Sequence, residues 1–321
     1  MSKFIYFILI LLISPIVFCV SNAFAAPPTI SISPPKFELT LEPGQIIEDK
    51  IIVKNKGQDI LPLQAKTVNW TGFGEEGGIE FSDIDNISFT PAKWFELTKT
   101  DFILGPGEMV RVNFKIQVPA NAEPGGYYTG ILFQPKYPST YFEPHSAHLL
   151  GGVGALFLLS LPSAERAQEP IKLEEFSLGQ VASLIRAAVA DEEAIIEKGP
   201  IDFILRIKNN DIVHLQPKGE IKIRNIFGQE IAQIKVPEKT ILPGMIRKFP
   251  VSLDKKYLWG RYRAELEMSQ GDYLLTASLG FWAFPWKYTL LWITLAGLVI
   301  FFMIKFRKRF ILAFKTLIER R

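Results

Sequence analysis

One long uncharged apolar run near the C-terminus limits what this chain can fold into. Residues Tyr288 to Ile304 read YTLLWITLAGLVIFFMI and hold no charged side chain. At about 1.5 Å of helical rise per residue, the run covers roughly 26 Å, and tilt or the apolar flank FWAFPW can supply the rest of a bilayer core. The sequence therefore predicts a membrane-spanning helix over residues 284–304.

Both ends of this run carry residues typical of a membrane boundary. The aromatic residues that would settle at the headgroup level are Trp282, Trp286, Tyr288 and Trp292. The basic residues that follow the run at once are Lys305, Arg307, Lys308 and Arg309. The tail 305–321 holds seven Lys or Arg and one Glu, so the positive-inside rule predicts a cytoplasmic tail and an external N-terminal part. Two roles fit this tail. It is either a stop-transfer signal with no further role or an interfacial helix that lies on an anionic leaflet of the membrane.

The N-terminus has the pattern of a secretory signal peptide. Lys3 precedes the apolar stretch 4–20, and Ala23-Phe24-Ala25 has the small-x-small form of a signal peptidase site, which predicts a signal peptide over residues 1–25. An uncleaved N-terminal anchor is the alternative. The single cysteine, Cys19, would leave with the signal peptide, so the mature protein would have no disulfide, no cysteine nucleophile and no thiolate metal site.

The charge is distributed unevenly along the chain. The formal net charge is +3, but the C-terminal tail supplies more than this excess, so the part before the tail is mildly acidic. A mildly acidic external part argues against binding of nucleic acid or of polyanionic wall polymers through bulk electrostatics.

The external part has a sequence pattern typical of β-strands. Short runs rich in Ile, Val and Phe alternate with polar residues, and Gly, Pro and Asn separate them, as in 110–118, 201–208 and 261–268. Alternation at period two predicts antiparallel sheets with one buried face. We expect an all-β fold of two tandem immunoglobulin-like β-sandwiches, over 26–163 and 164–283, joined by a proline-bounded linker at 162–170.

An internal repeat supports the division into two halves. Each half has a strand that ends in Asn, a later Pro-Gly turn, and a strand that opens with Gly and Tyr. These elements are Asn55, Leu104–Gly107 and Gly126-Tyr127 in the first half, and Asn209-Asn210, Leu242–Gly244 and Gly260–Tyr262 in the second.

One segment departs from the β-pattern. Residues 180–198 place apolar side chains near helical spacing, with Asp191, Glu192 and Glu193 between them. This spacing predicts a helical or mobile insertion within the second sandwich.

Residues Ile32 to Leu161 resemble a known family. The segments SPPKFELTLEPGQ, IIVKNKG, ILGPGEMVRVNFKIQVP, PGGYYTGILF and VGALFLLSL look like the N-terminal domain of WxL-interacting proteins, bacterial surface proteins with a signal peptide, two immunoglobulin-like domains, a membrane helix and a basic tail. The resemblance implies contact with peptidoglycan through the first domain and with a partner protein through the second. The motifs are strand edges and turns, so no binding residue is carried over. A similar N-terminal pattern occurs in soluble periplasmic pilus chaperones.

The sequence predicts no catalytic, metal or cofactor site. His145 and His148 have no third ligand evident nearby, and the acidic segment 75–86 lacks the Gly and terminal Glu of a calcium loop. His214 lies in a segment whose residue types are typical of a turn. The sequence has no Gly-x-Ser-x-Gly motif of a serine nucleophile. We therefore expect a protein that is not an enzyme.

Two aromatic segments are the predicted binding surfaces. The loop 135–148 carries Tyr137, Tyr141 and Phe142 among prolines, and the segment NWTGFG carries Trp70 and Phe73. Such rings either contact a partner or pack back onto the sandwich. We expect a membrane-anchored surface protein that binds cell-wall material or a partner protein. The alternatives are an accessory or chaperone-like subunit of an exported assembly and a membrane-bound sensor.

Overall fold

The computed structural model describes most of the chain between residues 30 and 306. The described ranges are 30–82, 91–136, 152–163, 167–179, 194–197, 199–255 and 258–306. Their structure is mostly β-strand, followed by one C-terminal α-helix, which confirms the mainly β fold class. The predicted signal peptide lies outside the described residues.

The strands up to residue 161 form two sheets, which we call the first sheet pair. One sheet has the order β1-β3-β8-β6, and the other has the order β2-β10-β9-β4-β5 with β7 also on β4. A short 3-10 helix, Pro91–Trp94, precedes β6. The strands are β1 (Ile30–Ser33), β2 (Lys36–Thr40), β3 (Ile46–Asn55), β4 (Leu61–Phe73), β5 (Gly78–Ser82), β6 (Phe95–Leu97), β7 (Asp101–Leu104), β8 (Met109–Gln117), β9 (Gly125–Pro135) and β10 (Val153–Leu161).

The strands from residue 171 to residue 283 form the second sheet pair. One sheet has the order β11-β13-β16, and the other has the order β12-β18-β17-β14-β15. The strands are β11 (Ile171–Leu178), β12 (Ala194–Ile196), β13 (Ile201–Asn209), β14 (Lys218–Asn225), β15 (Glu230–Lys235), β16 (Ile246–Leu253), β17 (Gly260–Gln270) and β18 (Tyr273–Ala283).

Each sheet pair encloses its own buried hydrophobic cluster, because alternate residues of its strands point inward. In the first pair, Phe37 stacks on Phe157 at a centroid distance of 4.6 Å, and Phe114 meets Phe157 edge-on at 5.0 Å. In the second pair, β13 buries Phe203 and Leu205 while the residues between its inward positions stay partly exposed. The period-two pattern in the sequence thus produced the sheets that it predicted.

Two strand pairs differ from the expected antiparallel arrangement. β2 runs parallel to β10, and β12 runs parallel to β18. The helical prediction for 180–198 is wrong at Ala194–Ile196, which form β12, because pairing with β18 and burial of Ile196 outweigh the helical spacing. Residues 180–193 and 198 lie outside the described residues.

The internal repeat corresponds to a buried asparagine that ties together three chain segments. Nδ2 of Asn55 donates to the carbonyls of Asp59 at 2.8 Å and Leu104 at 3.1 Å, and Oδ1 accepts from the Gly57 amide at 2.8 Å. The carbonyl of Asn55 accepts from the amide of Gly107, whose φ of +74° favours glycine.

The second half repeats this arrangement at Asn209. Nδ2 of Asn209 donates to the carbonyls of Val213 and Ile241, both at 2.8 Å, and Oδ1 accepts from the Asp211 amide at 2.8 Å. The amide of Gly244, with φ of +71°, donates to the Asn209 carbonyl at 2.9 Å. The repeated Asn and Pro-Gly elements of the sequence therefore form the same hydrogen-bonded turn in both halves of the chain.

The C-terminal helix, α1 (Trp286–Lys305), spans 20 residues and is the one helix among the described residues that is long and apolar enough to cross a membrane. It starts two residues later than predicted, because β18 continues to Ala283 and Pro285 caps the helix. The predicted interface residues Trp282, Trp286, Tyr288 and Trp292 are exposed.

The last turn of the helix contains Lys305. The other predicted basic boundary residues, Arg307, Lys308 and Arg309, lie outside the described residues.

We expect the substitution Asn55→Ala to lower the free energy of unfolding by about 3 kcal/mol, because buried carbonyls that lose their donor cost about 1–3 kcal/mol each. Asn209→Ala should have an effect of similar size. Chemical denaturation of the full chain in detergent, followed by tryptophan fluorescence, measures this change. The control is Asn113→Ala, an exposed asparagine on β8. Equal stability of the Asn55→Ala and Asn113→Ala variants would contradict the structural role of the buried asparagines.

Candidate binding cleft between the two sheet pairs

A cleft of about 330 Å³ lies between the two sheet pairs, and we call it the interpair cleft. Its first wall is the outer face of the sheet that contains β2, β10 and β4, and its second wall is the segment 238–247. The first wall contributes Lys36, Trp70, Ile79, Leu156 and Leu158, and the second contributes Glu238, Lys239, Thr240, Ile241, Leu242, Met245, Ile246 and Arg247. The cleft is thus formed by residues far apart in the sequence.

The turn of the β4–β5 hairpin closes one side of this cleft by docking on the second sheet pair. Glu75 accepts from Nε of Arg206 at 2.8 Å and from its Nη2, and Arg206 also pairs with Glu175 at 3.4 Å. The carbonyl of Glu75 accepts from the Lys248 amide at 2.9 Å. The hairpin is therefore held to β13 and β16 by side-chain and backbone contacts.

Two glycines allow the hairpin to come this close. A Cβ at Gly72 would lie 2.8 Å from both the Leu242 side chain and the sulfur of Met245, and a Cβ at Gly77 would overlap the guanidinium of Arg247. Gly77 also has φ of +77°, a conformation that L side chains rarely adopt. Glycine at both positions therefore lets the hairpin pack without displacing these side chains.

Hydrogen bonds and burial shift the pKa of two charged groups on this side of the cleft. The hydrogen bonds from Arg206 lower the pKa of the Glu75 carboxyl, against the opposing effect of desolvation. Burial lowers the pKa of Lys239, whose Nζ donates to the Lys248 carbonyl at 3.0 Å. Among the described residues, the buried Nε of Arg247 has no hydrogen-bond partner.

A second contact region lies around His214. The amide of Gly126 donates to the Ile212 carbonyl at 2.8 Å, and Nδ1 of His214 lies 3.4 Å from the hydroxyl of Ser160. The ring of Tyr128 meets the imidazole edge-on at a centroid distance of 5.8 Å. Burial is the largest effect on both groups, and it lowers the pKa of His214 and raises the pKa of Tyr128.

The structure separates the aromatic residues that the sequence predicted as a binding surface. Trp70 is only 7 % exposed, and its Nε1 donates to the Thr129 carbonyl at 2.7 Å, so it forms part of the cleft wall and is not a free surface ring. Phe73 is 55 % exposed, and its ring covers Gly78 of its own hairpin. Tyr137, Tyr141 and Phe142 lie outside the described residues.

Most residues of the cleft were not predictable from the sequence. Gly72, Gly77, Glu75 and Arg206 act through contacts across more than a hundred residues, as in the Arg206–Glu75 pair at a separation of 131. The signal that was available is the density of glycines around Trp70 in NWTGFGEEGG, which is unusual for a strand and marks close backbone approach.

The lining of the cleft determines what it can bind. Its walls are largely apolar, and its described lining holds three cations, Lys36, Lys239 and Arg247, and one carboxylate, Glu238. Lys36 also forms an ion pair with Glu38, which is not part of the lining. Among the described residues no group of His, Cys, Asp and Glu could hold a metal ion. This chemistry suits an apolar segment that carries an acceptor or a negative charge.

Comparison with known proteins finds solved structures of low similarity. No family model matches the chain, and no curated protein matches it. The chain is similar to a chain of a chaperone–tip adhesin complex of CFA/I fimbriae, with 16 % identity, 78 % of this chain and 99 % of that chain covered, and a TM-score of 0.39.

Two further solved structures give similar values. The class 5 fimbriae chaperone CfaA has 17 % identity, coverage of 78 % and 98 %, and a TM-score of 0.38. The E. coli chaperone DraB has 12 % identity, coverage of 78 % and 98 %, and a TM-score of 0.36. Similarity at this level carries no argument about what this chain binds, and the resemblance to WxL-interacting proteins stays a prediction.

We expect Gly77→Ala to destabilise the docked hairpin more than Gly74→Ala. Both glycines have positive φ, +77° and +64°, so each substitution carries backbone strain of about 1–2 kcal/mol, but a Cβ at Gly74 meets nothing within 4 Å. The difference in unfolding free energy between the two variants of the full chain measures the contact with Arg247. Equal losses in the two variants would show that the Arg247 side chain moves aside without cost and does not restrict position 77.

We expect His214 to make stability depend on pH. Because burial lowers the pKa of His214 in the folded chain, the unfolded chain binds more protons as the pH falls below about 6.5, and stability decreases toward the lower folded-state pKa. His214→Gln should lose less stability than the parent chain between about pH 7.5 and 5.5. Unfolding curves at both pH values test this, and parallel losses in the two chains would contradict it.

Proposed function

We propose that this chain is a non-catalytic, membrane-anchored binding protein of the cell envelope that holds a segment of a partner protein in the interpair cleft. The single observation that carries the proposal is the cleft itself, with apolar walls and a basic rim between two docked sheet pairs. In this proposal the two sheet pairs are two immunoglobulin-like domains, and the function is close to that of an accessory subunit of an exported assembly.

The proposed topology has one membrane crossing by α1. The 20-residue helix covers about 30 Å, which equals the thickness of a bilayer core. The aromatic residues at its start and the basic residues from Lys305 onward support an external β-part and a cytoplasmic tail. Anchoring would keep the cleft close to the membrane surface.

The chemistry of the cleft favours a protein segment over a glycan of the cell wall. Apolar side chains dominate its lining, and Thr240 is the only uncharged polar side chain among the described lining residues. A glycan offers many hydroxyl groups that need directed polar partners, whereas an extended peptide offers apolar side chains and backbone carbonyls. The ammonium of Lys36 has three N–H donors, of which Glu38 and Thr240 accept two, so one is left for a carbonyl or carboxylate of the segment.

Site-specific photocrosslinking tests this function directly. We expect a benzophenone amino acid in place of Ile79, at the cleft, to crosslink the full chain to one envelope protein in its native membrane. The matched control replaces Ile103, an exposed isoleucine on β7 of the same sheet that is absent from the cleft lining. The charge reversal Lys36→Glu should reduce the crosslink at position 79 severalfold.

Three outcomes would contradict the proposal. Equal crosslinks from positions 79 and 103 would indicate nonspecific contact. Crosslinks to peptidoglycan fragments from position 79 would identify the cleft as a wall-binding site. Retention of the full crosslink in the Lys36→Glu chain would show that the basic rim of the cleft does not contribute to binding.

A further inference from the structure

The end of the second sheet pair from which α1 leaves carries an unusual apolar tip. In the strand register, Asn225 pairs with Tyr262, Tyr262 pairs with Phe281, and Gly260 pairs with Ala283. The β14–β15 turn therefore lies at the same end of the sheet as the last residue of β18, three positions before α1 begins. With neighbouring strands about 5 Å apart, the turn lies about 10 Å to the side of the helix start.

This turn is ordered and presents two large apolar side chains to solvent. Oδ1 of Asn225 accepts from the amides of Phe227 and Gln229, both at 3.0 Å, and Gly228 has φ of +77°. Ile226 is 67 % exposed and Phe227 is 80 % exposed. A fixed turn with two exposed apolar side chains marks a contact surface.

Aromatic residues continue the apolar surface toward the helix. Trp259 and Trp282 are exposed, and Trp259 meets Phe284 edge-on at a centroid distance of 5.6 Å. Trp282 pairs with Arg261 across the β17–β18 register, so both side chains lie on the outer face of the sheet. We call Ile226, Phe227, Trp259, Trp282 and Phe284 the apolar tip.

Three arginines border a cavity of about 310 Å³ beside this tip. Arg224 pairs with Arg263, and Arg263 pairs with Gly280, whose missing side chain leaves room on the same face. Arg261 also lines the cavity. Glu265, whose carboxylate lies 3.4 Å from Nε of Arg224, is the one acidic residue among the lining residues that the structure describes. The described lining therefore brings together three guanidinium groups and one carboxylate, and guanidinium groups bind phosphate.

We infer that this end of the second sheet pair docks on the bilayer surface, with the apolar tip in the headgroup region and Arg224, Arg261 and Arg263 bound to the phosphates of anionic phospholipids. The inference rests on the membrane anchoring in the proposed function. The chain's own helix starts beside the tip, so bilayer and tip are at the same level, and arginines next to exposed aromatic residues match an anionic interface in both charge and polarity. Docking would fix how the interpair cleft is presented above the membrane.

Depth-dependent quenching of a fluorophore tests the inference. The full chain, with Cys19→Ser, carries Phe227→Cys and an environment-sensitive label, and is reconstituted into phosphatidylcholine vesicles with or without phosphatidylglycerol. Quenchers attached to lipids report contact with the headgroup region. The matched control places the cysteine at Asp272, in the exposed β17–β18 turn at the other end of the same sheet.

We expect strong quenching at position 227 and little at position 272, with the larger signal in phosphatidylglycerol vesicles. The triple substitution Arg224→Gln, Arg261→Gln and Arg263→Gln should lower the ratio of docked to undocked chains at least tenfold, because each basic residue near an anionic surface adds about fivefold in affinity. Ile226→Ser, a change at an exposed turn that leaves the fold intact, should lower quenching at position 227 severalfold.

Equal quenching at positions 227 and 272 would overturn the inference, and so would quenching that is insensitive to both phosphatidylglycerol and the triple substitution. Flotation of the same vesicles separates this result from failure of the proposed anchoring. A chain that floats with the vesicles but shows no quenching at position 227 is anchored without docking. A chain that does not float overturns the anchoring, and the docking with it.

Discussion

The docking of the β4–β5 hairpin on the second sheet pair is the contact on which the cleft depends. Glu75 reaches Arg206 and the Lys248 amide from a turn whose glycines leave no side chain in the way. Together with the contact between Gly126 and Ile212, this docking sets the separation of the two walls, so that the leucines and the basic residues of the cleft belong to one surface. Contacts of backbone to backbone are important here, because salt screens them far less than the partly exposed ion pair.

The strands and turns of the fold were predicted well from the sequence. Period-two alternation indicated the strands, and the repeated Asn and Pro-Gly elements indicated the turns, because both signals arise from neighbours within a few residues. The burial of Asn55 and Asn209 was not predictable, since an asparagine at a strand end reads equally well as an exposed turn residue. β12 was also missed, because a three-residue strand is defined by its partner β18 and not by its own periodicity.

The candidate sites were harder to predict than the fold. Tryptophan is a residue type often found at contact surfaces. Only the position of Thr129 on β9 shows that the indole N–H of Trp70 has its hydrogen-bond acceptor inside the protein. The cleft joins residues from both halves of the chain, so no local pattern encodes it. The arginines beside the apolar tip were visible in the sequence as part of alternating strands, but only the register of β14, β17 and β18 brings them together near the helix.

We expect the two sheet pairs to be held as one unit, so that the cleft exists before a partner binds. Hydrogen–deuterium exchange of the full chain in lipid nanodiscs tests it at the Lys248 amide, which donates to Glu75, and at the Gly126 amide, which donates to Ile212. We expect both amides to exchange as slowly as amides within the neighbouring sheets. Exchange of both at the rate of open loops would show that the sheet pairs move independently and would contradict a preformed cleft.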